Sequence, residues 1–334
     1  MRYKSLLIGA AILALTAVSG VAQAQDDVRL RLNWMWYGSH APFALGEDRH
    51  FYKDDGINLH IRSGNGSDSA VRLVANGDSD FAYASCASMI NLAAGGAKVV
   101  SVGVIDATGT EAIIVRPDTG IKKITDLKGK TVLTTANAGV NTFFPLVMQT
   151  AGMSQSDIHL VNVPEGALVS AYLQGSGGAV GMLGGLDDKP AQIEANGGKP
   201  PVTFPYNDYG VNEVGYCIVA RTQMVKENPD LVRRFMDATV KSFAAALKNP
   251  DAAINSMADI VGGTMNEAAS KKQARQVLDV TLGILYSPKN KEKRLGYNVP
   301  EDWASMLDLM KKYNGLKTDL PATAFYTNDF VPKM

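Results

Sequence analysis

The chain has little thiol or imidazole chemistry to offer. Its 334 residues contain two cysteines, Cys86 and Cys217, and four histidines, His40, His50, His60 and His159. The histidines lack the spacing of metal ligands, and neither H-E-x-x-H nor G-x-S-x-G occurs, so the common zinc and serine hydrolase arrangements are set aside. No metal and no cofactor is expected. A long basic run is also missing, because 33 basic residues balance 33 acidic ones. A phosphate backbone is bound by a basic stripe, so nucleic acid is not expected as a partner. A dinucleotide fingerprint fails by one residue: Gly64 and Gly66 are followed by Ser69 where the third glycine belongs. Past the N-terminus, no apolar run is long enough to cross a bilayer.

What is present is ordinary globular composition, 46% hydrophobic and 20% charged, over a length that suits two domains. The first residues read as a secretory signal peptide. Arg2 and Lys4 supply the basic start, 6–17 the apolar core and Ala22-Gln23-Ala24 the A-x-A cleavage site. An uncleaved anchor is the alternative, but the apolar core is short for about 30 Å of hydrocarbon. Cleavage after Ala24 leaves a formal charge of −2 and no nearby cysteine to carry a lipid. The mature protein is therefore expected to be exported and, in a bacterium with two membranes, periplasmic. Export permits a disulfide between Cys86 and Cys217. Two buried thiols are the preferred reading, because Cys86 falls at a helix start and Cys217 in mid-strand; geometry decides.

From residue 28 the chain reads as strand-then-helix units. Val28-Arg29-Leu30-Arg31-Leu32 alternates as a half-buried strand does and runs into an aromatic-rich loop, Asn33-Trp34-Met35-Trp36-Tyr37-Gly38-Ser39-His40. Such aromatics form either a small core under the loop or a stacking surface. Strand 57–61 leads through Ser63-Gly64-Asn65-Gly66-Ser67 into helix 70–76, closed by Gly77. Strand 81–83 leads to Ser85-Cys86-Ala87-Ser88 at another helix start, and strand 99–105 ends the set. The scheme then repeats. Strand 131–134 precedes loop 135–142 and an apolar helix through 151; strand 158–163 precedes Glu165 and helix 167–174; strand 179–183 precedes Asp187-Asp188-Lys189-Pro190 and a helix to Asn196. Each unit puts small polar residues where a strand ends and a helix begins, the edge at which open α/β sheets bind ligands. Free N–H groups of the helix entered near Asn141 would favour a carboxylate or sulfonate.

The stretch 111–132 joins the two sets. Residues 112–115 form a β-branched run expected to be buried on both faces, 116–120 stop it, and a capped turn at 125–128 leads into the next strand. This stretch is read as the crossing from one lobe to the other, and 214–221 as the return crossing. The C-terminal third is helical, at 229–247, 266–286 and 300–313, with Asn249-Pro250 ending the first helix. No site is expected there, since helical apolar stripes are usually core.

Four segments carry a family resemblance: Phe51-Tyr52-Lys53-Asp54-Asp55-Gly56-Ile57, Gly64-Asn65-Gly66-Ser67, Asn76-Gly77-Asp78-Ser79-Asp80-Phe81, and Gly120-Ile121 through Asp126-Leu127-Lys128-Gly129-Lys130. In this order they resemble the solute-binding receptors of ABC importers in the nitrate, sulfonate, taurine and thiamine-pyrimidine family. The resemblance implies an α/β, two-lobe, type II periplasmic-binding-protein fold with two crossover strands and a C-terminal helical extension. Residues 1–24 would then be the signal peptide, 25–111 with 221–334 a discontinuous first lobe, and 112–220 a second lobe with the crossover strands at its ends. It also implies a small-molecule solute, a cognate permease in the inner membrane, a monomer and no catalysis.

Within that frame Trp34 or Tyr37 would stack on the solute. The loop bearing Trp34 and His40 is similar to one with which pyrimidine-binding members hold a ring. Asn65, Ser67, Ser85 and Ser88 would reach the solute from the first lobe, and Asn137, Asn141 and Thr142 from the second, with Glu165, Asp187 and Tyr216 as further candidates. Each polar candidate has a competing reading as a helix cap or turn. The expected solute is aromatic or heterocyclic, with an acidic group as an option. The rivals are an aliphatic sulfonate or taurine receptor, which needs a cation or several N–H donors, a periplasmic sensor or chaperone-like protein, and a pyrimidine-precursor synthase-like enzyme. The cysteine-rich motif of that enzyme is absent, and no basic clamp for nitrate is evident.

Overall fold

The computed structural model describes residues 25–136 and 138–333; residues 1–24, expected to be a signal peptide, and Asn137 lie outside the described residues. Ten strands fall into two five-stranded sheets among the described residues. The first has the order β2 (Ile57–Arg62), β1 (Asp26–Arg31), β3 (Phe81–Ser85), β10 (Tyr216–Arg221), β4 (Val99–Val104). The second has β7 (His159–Asn162), β6 (Thr131–Thr134), β8 (Ala179–Gly185), β5 (Glu111–Val115), β9 (Val202–Pro205).

One strand in each sheet runs against its neighbours. β1 is parallel to β2 and β3, while β10 is antiparallel to β3 and β4. Likewise β6 is parallel to β7 and β8, while β5 is antiparallel to β8 and β9. Each antiparallel strand is the first that the chain makes after a crossing, and it lies between two neighbours in its sheet. Alternate residues pack into different core clusters, Ile113 and Val115 apart from Ala112 and Ile114, and Cys217 and Val219 apart from Ile218 and Ala220, so both faces are covered and the runs are uninterrupted. Ala112, Ile113, Ile114 and Val115 have no exposure, nor do Cys217, Ile218, Val219 and Ala220. Burying each Val or Ile contributes about 1.5–3 kcal/mol.

This pairing corrects the placement of the crossings. The run 214–221 was expected to be the return crossing, but from Tyr216 it is β10, hydrogen-bonded on both sides inside the first sheet. The return crossing is the preceding segment 206–215, and the outward one is 105–110, between β4 and β5, ahead of the stretch expected to hold it. The strands next to the crossings therefore sit in the middle of the sheets, one in each. β9 is a strand that the sequence pattern did not announce.

Helices α1 (Ala41–Asp48), α2 (Phe51–Asp54), α3 (Ser67–Asn76) and α4 (Cys86–Ala94) belong with the first sheet, and α5 (Phe144–Thr150), α6 (Glu165–Gln174) and α7 (Lys189–Ala195) with the second. After β10 come α8 (Thr222–Glu227), α9 (Pro229–Lys248), α10 (Pro250–Val261), α11 (Ala268–Gly283) and α12 (Pro300–Tyr313). Phe43 of α1 meets Phe243 of α9 edge to face at 5.2 Å. Asn249-Pro250 does more than end α9. Asn249 Oδ1 accepts the N–H of Ala252 at 3.0 Å, and Pro250 takes the first position of α10, where its missing N–H costs nothing. The helix expected near Asn141 is broken into a single 3₁₀ turn, Gly139–Asn141, followed by the seven-residue α5.

Cys86 and Cys217 are bonded, which overturns the preference for two thiols. The β10 register lays Cys217 opposite Ala84, and Cys86 N–H donates to Gly215 O at 2.9 Å. The two Cα atoms stand 5.4 Å apart, a separation that a disulfide spans. The covalent loop encloses both crossings and the whole second sheet.

Candidate functional site

The antiparallel strands decide where the two sheets face each other. Because β5 runs against β8, its first residue Glu111 pairs with Gly185 at the end of β8. Because β10 runs against β3, Tyr216 pairs with Ser85 at the end of β3. The carboxyl ends of the parallel strands in both sheets thus converge on the crossings, as the ligand rule for open α/β sheets requires. The crossings lie side by side. Asp106 O accepts from Gly215 N at 3.0 Å and Tyr216 N at 3.2 Å, and Gly109 N donates to Glu213 O at 3.2 Å. A Cβ at Gly109 would come within 2.3 Å of Glu213 Oε1 and 2.6 Å of Glu111 Oε2, so these carboxyl side chains would have to shift.

Aromatic rings line one side of this junction. Tyr216 stacks on Tyr83 at 4.9 Å, and the His40 ring meets Tyr37 edge-on at 4.3 Å and Tyr83 at 5.7 Å. His40 is fully buried, with Nε2 2.7 Å from Asn33 Oδ1 and no partner at Nδ1. Burial holds its pKa down at about 3, so the ring is neutral. Burial, and then the nearby carboxylates, push the hydroxyls of Tyr37, Tyr83 and Tyr216 well above the usual tyrosine range.

Carboxyl groups line the other side. Tyr83 donates to Asp106 Oδ2 at 2.8 Å, and Thr110 donates to Asp187 Oδ1 at 2.8 Å. Burial, reinforced by Asp187 and Glu111, pushes Asp106 up to about 8 despite the Tyr83 bond. Burial and then Asp188 push Asp187 up to about 7. Glu213 is raised well above the carboxylate range by burial and then by Glu111. Nearby, Lys189 Nζ sits 2.5 Å from Glu165 and 2.9 Å from Asp188. Burial alone would lower its pKa, but the two carboxylates raise it, so its charge is already engaged.

The expected residues divide into groups. Tyr37, Asp187 and Tyr216 come together at the junction, with His40 packed behind them. Ser67 and Ser85 bond to each other, Ser67 Oγ accepting Ser85 N–H at 3.0 Å. Asn141 ties its own loop, accepting from Thr134 Oγ1 at 2.6 Å and donating to Thr135 O at 2.8 Å, and Thr142 follows it half-buried. Glu165 pairs with Lys189 and accepts from Thr135 at 2.8 Å. Asn65 is exposed, Ser88 half-buried on α4, and Asn137 outside the described residues. Trp34 is half-buried, and it is Trp36 whose ring reaches His40, at 6.0 Å.

Asp106, Glu111, Glu213, Tyr83 and Thr110 were not anticipated. For the three acids the one signal was a carboxylate at the end or start of an otherwise apolar run. The C-terminal helices, where no site was expected, also reach the gap. Glu194 of α7 accepts from Lys272 at 2.7 Å and Gln276 at 2.9 Å, both on α11. Beside this contact opens a pocket of about 170 Å³ lined by Leu186, Asp187, Pro190, Ala191, Gln276 and Val280 among others.

Residues 38–253 match the family model described as NMT1/THI5 like. The chain belongs to the NMT1/THI5-like family. Relatives include the riboflavin-binding protein RibY of Chloroflexus aurantiacus, 23% identical over 312 residues, 92% of this chain and 86% of that protein. The formylaminopyrimidine-binding protein of Halalkalibacterium halodurans is 21% identical over 305 residues, 90% of this chain and 89% of that protein. Among solved structures, the periplasmic aliphatic sulphonate-binding protein SsuA of Escherichia coli superposes with a TM-score of 0.68 at 16% identity, covering 92% of this chain and 99% of that one. That likeness establishes the periplasmic-binding-protein fold for this NMT1/THI5-like chain.

Proposed function

We propose that this chain is the periplasmic receptor of an ABC importer, holding a small aromatic or heterocyclic solute between its lobes and delivering it to an inner-membrane permease. The observation that carries this reading is the meeting of Tyr37, Tyr83 and Tyr216 with Asp106 and Asp187 where the crossings join the sheets. Rings supply stacking and the carboxyls supply orientation, the usual division of labour in a small-molecule site. The hinge of two short segments allows the lobes to close over a solute. Relatives named for binding riboflavin and formylaminopyrimidine, both heterocycles, support the same class.

The sulfonate or taurine reading has less support, since Lys189 is engaged by two carboxylates. An enzymatic role is disfavoured, because the curated relatives just described are named as binding proteins. Export through residues 1–24 and a monomeric state complete the proposal. The test is a thermal-shift screen of small metabolites on the mature protein. A solute bound only by the folded state raises the melting temperature, and small-angle scattering should then show a more compact particle. No stabilisation by any soluble metabolite would refute the receptor role and favour a sensor or chaperone-like one.

A further inference from the structure

We propose that the gap selects a solute bearing a cationic nitrogen beside an aromatic ring, and rejects sulfonates and carboxylates; this rests on the receptor reading above. Four carboxyls converge from four separate segments: Asp106 on the outward crossing, Glu111 at the start of β5, Asp187 after β8 and Glu213 on the return crossing. Among the described residues none of the four has an ion pair with a lysine, arginine or histidine. Asp106 Oδ1, Glu111 Oε2 and Glu213 Oε1 are buried without a hydrogen-bond partner, and Asp106 and Glu213 are only 4% and 7% exposed.

Buried acceptors without donors are costly unless something supplies N–H groups or positive charge. Glu213, kept protonated by burial, can share its proton with Glu111, but no neighbouring group supplies positive charge. Tyr83 and Thr110 each give one hydroxyl proton to this cluster. The neutral His40 ring bonds Asn33 and lies behind Tyr37 and Tyr83. Lys189 is held by Glu165 and Asp188, and Asp188 adds further negative character. A cationic nitrogen completes the arrangement, and the half-buried Tyr216 ring favours the same charge through its quadrupole. An anionic head group would instead find no cationic partner, since Lys189 is engaged by Glu165 and Asp188, and any ionisation of these carboxyls would repel it. Binding a cation also favours the ionised carboxylates, so protons leave as it binds and affinity rises with pH.

The experiment uses the mature protein, a metabolite library balanced between bases, neutral compounds and acids, and the matched probes benzamidine and benzenesulfonate. The expected result is that the strongest binders are amines, amidines or protonated heterocycles. Benzamidine should then outcompete benzenesulfonate, Asp106→Asn and Asp187→Asn should each weaken the base by about tenfold or more, and calorimetry in two buffers should show proton release. Asp187 is only half-buried, so its variant serves if Asp106→Asn does not fold. Anionic compounds as the strongest binders, or unchanged affinity for the base in both variants, would overturn the inference and leave the receptor role standing. Binding of no compound of any charge would overturn both.

Discussion

Asp106→Asn should stabilise the unliganded protein, and by a margin that grows with pH. The ordinary aspartate value is 3.8, and in the fold Asp106 is pushed to about 8. Below pH 4 both the folded and unfolded carboxyls are protonated, and the burial carries no ionisation cost. Between pH 4 and 8 the unfolded chain has lost its proton while the folded one keeps it, so stability falls by about 1.4 kcal/mol per pH unit. Above pH 8 the loss levels off. At pH 7 the accumulated cost is about 4 kcal/mol, of which the neighbouring Asp187 and Glu111 carry part. Asparagine has no charge to bury and keeps an acceptor for the Tyr83 hydroxyl. The variant should therefore match the wild type near pH 4 and exceed it by about 2–4 kcal/mol at pH 7. Urea unfolding followed by tryptophan fluorescence at pH 4.5, 6 and 7.5 reads this directly. A difference independent of pH, or a variant less stable at pH 7.5, would refute the account of Asp106 as a carboxyl buried without a counter-charge.

Three further outcomes follow from the packing. Replacing Cys86 and Cys217 by alanine frees a loop with a sequence separation of 131 residues, and should lower unfolding free energy by about 2–5 kcal/mol; equal urea midpoints with and without reductant would show that the bond contributes nothing. Gly38→Ala places a Cβ 2.0 Å from the backbone oxygen of Ala274 on α11, so the aromatic loop or the helix must move; the expected cost is about 1–3 kcal/mol, seen as a lower melting temperature, and an unchanged one would mean that the contact yields freely. Lys272→Ala removes an ion pair whose side chains are 68% and 54% exposed, so global stability should change by less than about 1 kcal/mol, while hydrogen exchange in α7 should rise; unaltered exchange would show that this contact does not hold the lobes together.

The repeating order of strands and helices was legible because it is local. Alternation in 28–32, the apolar run 112–115 and the helical spacing of 229–247 each record one element's own burial, and the matched segments placed the chain in a two-lobe fold. Pairing between distant segments leaves no such record. Residues 214–221 read equally well as a crossing or a central strand, because an apolar run states that both faces are covered and not by what. The partnership of Cys86 with Cys217 depended on the β10 register, and the role of Asn249-Pro250 as a beginning depended on α10 having a surface to pack on. Local pattern also proposed Ser67, Ser85 and Asn141 as solute contacts; in the fold Ser67 Oγ accepts the Ser85 N–H and Asn141 bonds within its own loop. The junction of Asp106, Glu111, Asp187 and Glu213 was the least readable feature, since each carboxylate alone resembles a solvated residue at a strand end. Sequence alone determined most of the segments that become strands and helices, β9 and α10 excepted, because that depends largely on neighbours a few residues away. Only the folded chain decided which acids meet and lose their water, because that depends on two antiparallel strands bringing together groups more than a hundred positions apart.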